Sequence, residues 1–173
     1  RLISMPRPSE AVALDWMTTE LNKSGVVTDG IDLSLTLKET GGAVLQAFSQ
    51  ITGPGERSVD AEMKQFLLEN LSKGRDVNWL VTSEKVFKMP MPDLLITLER
   101  WVSDLLSYQI AQTHYFFPKY QNKVAECALS ANTSKLTQYW KRLIEARRYE
   151  LHPLSSRLQL EALLIDYRDI FKS

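Results

Sequence analysis

The sequence predicts an all-α fold, and three features carry that expectation. Apolar residues recur three and four positions apart through one segment after another, the spacing of a helix face. Glycine and proline are sparse, seven of each, so connections should be few and short. Hydrophobic residues make up 44% of the chain and charged residues 24%, which is ordinary for a globular protein and enough apolar side chain to form a core.

In chain order, residues 1 to 8 read as an extended lead-in, because Pro6 and Pro8 are unsuited to a helix interior. Ser9 can cap a helix running to about Lys23, with Val12, Ala13, Trp16, Met17 and Leu21 on its apolar face and Gly25 as its stop. Leu33, Leu35 and Leu37 alternate as a strand would. The short span and its place between two helices favour a short helix over Asp32–Lys38. Gly41-Gly42 breaks the chain, and Ala43–Ile51 forms a third helix with Leu45 and Phe48 on one side.

Thr52-Gly53-Pro54-Gly55 is the clearest turn, and the domain boundary is expected there. A helix from about Glu56 to Leu71 then buries Val59, Met63, Phe66, Leu67 and Leu71, and Gly74 ends it. Trp79, Leu80, Val81 and Val86 mark the next. Met89-Pro90-Met91-Pro92 separates it from a long helix over Asp93–Ala111, whose stripe is Leu94, Leu95, Leu98, Trp101, Val102, Leu105 and Leu106. His114–Pro118 reads as an aromatic loop, followed by a helix over Lys119–Leu129 carrying Val124 and Ala128. Thr133 or Ser134 caps a further helix that buries Leu136, Trp140, Leu143 and Ile144 and ends near Tyr149. Pro153 introduces the last, Ser155–Phe171, with Ser155 or Ser156 as cap and Leu158, Leu160, Leu163, Leu164, Tyr167 and Ile170 inward. No internal repeat or low-complexity tract interrupts this series.

Several function classes are disfavoured. Twenty-one basic and 21 acidic residues cancel, which argues against an autonomous nucleic-acid binder, since that needs basic excess to displace counterions. Apolar runs break within a few residues, so no membrane span is expected. The first residues lack a signal peptide's apolar stretch, and without an initiator Met the chain is expected to begin partway through a longer protein. Cys127 is the sole cysteine, which fits a reducing cytoplasm, and its plain reading is a buried small apolar residue on a helix. With only His114 and His152 beside it, no metal site and no cofactor are expected.

Catalytic chemistry is equally sparse. Gly53-Pro54-Gly55 lacks the Lys-Ser/Thr that a phosphate loop requires. His114 sits among aromatics and His152 directly before Pro153, so both read as structural, and the carboxylates fall on expected solvent faces. Arg142, Arg147, Arg148 and Arg157 can gather into a basic patch facing another subunit or DNA phosphates.

At both ends the chain is similar to the delta prime subunits of bacterial clamp loaders, which belong to the AAA+ family. The run His152-Pro153-Leu154-Ser155-Ser156-Arg157-Leu158-Gln159-Leu160-Glu161-Ala162-Leu163-Leu164 resembles their closing helix, where a His-Pro-Leu-Asn-x-Arg-Leu-x-Leu-Glu pattern is common. Ser155 stands where Asn is frequent, and both cap helices well. The opening Arg1-Leu2-Ile3-Ser4-Met5-Pro6-Arg7-Pro8-Ser9-Glu10-Ala11, with Leu14 and Trp16, is similar to the segment just after the ATPase core in that family. Gly41-Gly42-Ala43-Val44-Leu45-Gln46-Ala47 sits where clamp-loader lids begin their third helix. Residues 55 to 130 match in helical character only.

The resemblance implies a three-helix AAA+ lid over 1–52 and a helical-bundle collar over 55–173. Both would come from a non-catalytic member of the DNA polymerase III clamp loader, with its nucleotide-binding core and arginine finger upstream. Active clamp-loader ATPases place an arginine near the start of the third lid helix. Residues 41 to 47 contain no Arg or Lys, so a phosphate there would lack its cation. The implied partners are the ATPase subunits and delta, met through the collar, with DNA contact indirect or weak, no membrane and no small-molecule substrate. Tyr115, Phe116, Phe117, Arg157, Arg168 and Asp169 are the candidate interface, with closure of the core as the equal alternative for the three aromatics, and Arg142, Arg147 and Arg148 are the candidate basic patch. The rival readings are a helical adaptor that binds a peptide in a groove, and an enzyme using His114 or His152.

Overall fold

The computed structural model describes residues 8–26, 30–52, 57–148 and 156–171. Among them nine α-helices and two short 3-10 turns account for the regular structure, and there is no strand. No helix of these residues is long and apolar enough to cross a membrane. The chain divides into two compact units, Arg1–Gly55 and Glu56–Ser173. The Gly53-Pro54-Gly55 turn, Pro6, His152, Pro153, the side chain of Val59 and the capping side chains of Ser155 and Ser156 lie outside the described residues.

In the first unit, α1 (Glu10–Lys23), α2 (Leu33–Glu39) and α3 (Val44–Thr52) enclose a small core of Ala13, Met17, Leu21, Leu37, Ala47 and Ile51. Both α1 and α2 end on a left-handed glycine. Gly25 and Gly41 each sit at φ +64°, and the amides of Val26 and Gly42 reach back to Leu21 and Leu37. These bonds satisfy carbonyls that a helix end otherwise leaves open. The Leu33/Leu35/Leu37 alternation resolves as helix because the Asp32 carboxylate accepts from the Leu35 amide at 3.0 Å and starts the turn. One expected core residue is corrected: Val12 is 60% exposed. Leu45 of α3 is 73% exposed. Trp16 is also largely at the surface, resting its ring 5.6 Å from Phe48.

The second unit holds α4 (Arg57–Leu71), α5 (Trp79–Val86), α6 (Met91–Ala111), α7 (Gln121–Ser130), α8 (Thr133–Arg148) and α9 (Ser156–Asp169). At its centre α6 packs against α7 and α8, while α5 lies against α4 and α9. The long helix starts two residues before the expected Asp93, because Pro92 falls in the first turn, where its missing N–H is no loss. Leu94, Leu95, Leu98, Trp101, Val102 and Leu105 are fully buried as its periodicity requires; Leu106 is half-buried.

On α5 the buried face is Thr82, Ser83 and Val86, with Leu80 and Val81 exposed. Thr82 and Ser83 can be buried because their hydroxyls donate to the Asn78 and Leu80 carbonyls. On α8 it is Leu136, Tyr139 and Leu143, with Trp140 and Ile144 outward; on α9 Leu158 faces solvent. Asn132, not Thr133 or Ser134, caps α8: its side-chain oxygen accepts from the Lys135 amide at 3.1 Å, and its own amide donates to the Ile170 carbonyl. Replacing Asn132 by Ala is expected to cost about 1 kcal/mol in urea denaturation, and Asn132→Asp to cost much less.

Candidate functional site

The most organised surface feature of the second unit is the loop between α6 and α7. Gln112 ends α6 in the left-handed region, φ 53°, and turns the chain back along the helix it has just left. About two turns earlier, Asp104 stands on the same face as Trp101 and is fully buried. Its carboxylate accepts the amides of three consecutive loop residues: Tyr115 at 2.7 Å, Phe116 at 3.1 Å to both oxygens, and Phe117 at 3.0 Å. Successive amides converging on one anion form a concave nest. Burial pushes this carboxyl above its ordinary range, while the three amides and nearby His114 pull the other way without cancelling the shift.

The loop displays its aromatics unequally. Tyr115 is 59% exposed. Phe116 is half-buried, with the Arg100 guanidinium 5.7 Å from its ring centroid. Phe117 is only 2% exposed and lies 6.0 Å from the Trp101 ring. Phe117 is therefore core, and its place among the surface interface candidates is corrected: the third amide bound by Asp104 turns its side chain inward. Tyr115 and Phe116 remain as the outward pair.

The other candidates stand at the two ends of α9. Arg157 at its start bonds Glu161 at 2.9 Å and Glu84 of α5 at 3.3 Å, while Arg168 and Asp169 share its last turn, 3.9 Å apart. The three arginines read as a basic patch do not form an uncompensated one. Arg142 pairs with Asp166 at 2.6 Å and Arg147 with Glu99 at 3.2 Å; Arg148 is exposed at the end of α8. Pairs of such exposed arginines hold geometry more than they add stability.

Asp104 is what sequence reasoning missed, since a carboxylate's residue type alone places it on a solvent face. The available signal was its phase: three residues after Trp101 and one before Leu105, it lies inside the apolar stripe. Cys127 is buried between α7 and the end of α4, its sulfur 3.5 Å from the Ser72 carbonyl oxygen, and burial pushes its thiol up to about 11. A thiol so protonated is a poor nucleophile. Among the described residues no group of three His, Cys, Asp or Glu side chains is arranged to hold a metal ion. No protein-family model, curated protein or solved structure matches this chain.

Proposed function

We propose that this chain is a non-catalytic assembly module of a clamp-loader ring, a delta prime-like lid and collar that works in the cytoplasm by being clasped by sister subunits. The observation that carries the reading is the loop fixed by Asp104. A buried carboxylate holding three amides sets Tyr115 and Phe116 at the surface before any partner arrives. Ordering of an interface loop costs affinity when it happens on binding, so a loop already ordered binds more tightly for the same contact area. Tyrosine, with Arg100 behind the neighbouring ring, is also the kind of side chain on which binding energy concentrates. The lysine- and arginine-free stretch over residues 41 to 47 supports a subunit that does not itself grip nucleotide phosphates. Neutral net charge and the paired Arg142 and Arg147 support at most a weak or indirect contact with DNA.

Co-purification with the collar region of the matching ATPase subunit tests this. A stable complex is expected, and Tyr115→Ser with Phe116→Ser should weaken it at least tenfold while circular dichroism shows both chains folded. No complex between two folded partners would refute the reading.

A further inference from the structure

Helices α4 and α5 enclose an open groove of about 650 Å³ on the second unit. Met63 and half-buried Phe66 form its floor, and exposed Phe87 stands at its lip. Glu62, Phe66 and Glu69 follow at i, i+4 and i+7 on α4, so the two glutamates share one stripe with Phe66, their backbone positions about 10.5 Å apart along the helix axis. Neither glutamate is paired with a cation among the described residues, although Glu69 accepts from the Gln65 amide at 2.9 Å. The opposite wall carries Lys85 and Lys88, with the Lys85 ammonium 4.3 Å from the Phe66 ring centroid. Glu84, the acid on that wall, is already engaged by Arg157. An aromatic floor thus lies between one acidic and one basic wall.

We propose that this groove receives an amphipathic helix of a partner protein, with an apolar stripe seated on Phe66 and Phe87, Lys or Arg along the flank over α4, and Glu or Asp along the flank over α5. Charge complementarity names the occupant. The two-turn separation of Glu62 and Glu69 is the repeat at which a helix presents side chains in one row. Helices in grooves draw affinity from the apolar anchors, and charges on the rim fix orientation and exclude wrong partners. The site is independent of the ring-assembly reading, because the groove is built on α4 and α5 and the aromatic loop comes after α6.

The test uses the full chain and two fluorescein-labelled, capped 16-residue helical peptides of Leu, Ala, Lys and Glu. One has lysines along one flank of its leucine stripe and glutamates along the other; the second has glutamates on both. In fluorescence polarisation the mixed peptide should bind the wild-type chain. Glu62→Lys with Glu69→Lys should weaken it at least tenfold and strengthen the all-glutamate peptide at least tenfold, while Glu145→Lys changes neither. Amide shifts in NMR spectra should concentrate on α4 and α5. The proposal is overturned if the mixed peptide fails to bind, if the double charge reversal leaves both affinities unchanged, or if the shifts fall elsewhere. Concentration-dependent self-association that the double reversal abolishes would overturn it too, by making a second copy of the chain the occupant.

Discussion

Asp104→Ala is expected to destabilise the second unit by about 4 kcal/mol and to free the aromatic loop. The substitution removes the acceptor for three amides at once. The Phe117 amide is buried and those of Tyr115 and Phe116 are partly so; a buried donor left without a partner costs about 1–3 kcal/mol, and rehydration of the two outer amides recovers some of that. Urea denaturation followed by circular dichroism reads the first effect, and faster hydrogen exchange at Tyr115, Phe116 and Phe117 reads the second. A loss below about 1 kcal/mol with unchanged exchange would show that the nest holds nothing. If the loop is the assembly surface, partner affinity should fall in the same variant even at temperatures where the chain stays folded.

The same carboxyl makes a pH prediction. Its pKa in the folded chain is raised, with burial as the leading cause. The folded form therefore holds the proton more tightly than the unfolded chain does. The protonation-linked part of Asp104's contribution to stability is complete below the ordinary aspartate range and is lost as pH rises through its raised folded value, while the ionised carboxylate still accepts the three amides. Relative to the non-titrating Asp104→Asn variant, the wild type should gain stability on acidification from neutral pH. Parallel stability curves for the two proteins between pH 7 and pH 4 would contradict this.

Helical periodicity made the fold class readable, and it read α6 most accurately because nearly every apolar residue there faces inward. It misjudged positions on α1, α8 and α9 for one physical reason. Val12, Trp140, Ile144 and Leu158 are apolar and face outward, widening the apparent stripe and shifting its centre. A helix buries whichever face its neighbours cover, and that is set by tertiary packing. The converse error concerns polar residues. Thr82, Ser83 and Asn70 are buried because each bonds a carbonyl of its own helix or of the residue that caps it, a compensation a list of residue types does not display. Asp104 is the extreme case: its partners are eleven to thirteen residues away, in a loop whose aromatic content was obvious and whose tether was not. The sequence could nominate Tyr115, Phe116 and Phe117 together, but only the nest separates the outward pair from the core ring.

A second large effect is expected from Tyr167→Phe, about 3 kcal/mol of lost stability from one deleted oxygen. The Trp101 indole donates to the Tyr167 hydroxyl at 2.8 Å, and that hydroxyl donates to the Leu71 carbonyl at 2.7 Å. Leu71 is the last residue of α4, so its carbonyl belongs to the final turn that the helix cannot satisfy itself. One phenol thus closes the end of α4 and pins α6 and α9 to it. Phenylalanine keeps the ring contacts, with Tyr139 at 5.9 Å and Phe171 at 5.2 Å, and opens little cavity. What it leaves is a buried indole N–H without its partner and a buried Leu71 carbonyl with only the weak Cys127 thiol contact at 3.9 Å, and such under-satisfied groups cost more than the bond was worth. A double-mutant cycle separates this from packing. Trp101→Phe loses the indole's volume but also removes the stranded donor, so with Tyr167→Phe it should cost at least about 1 kcal/mol less than the sum of the singles. Additive losses would mean that the relay contributes no coupling and that Trp101 and Tyr167 act only by filling space.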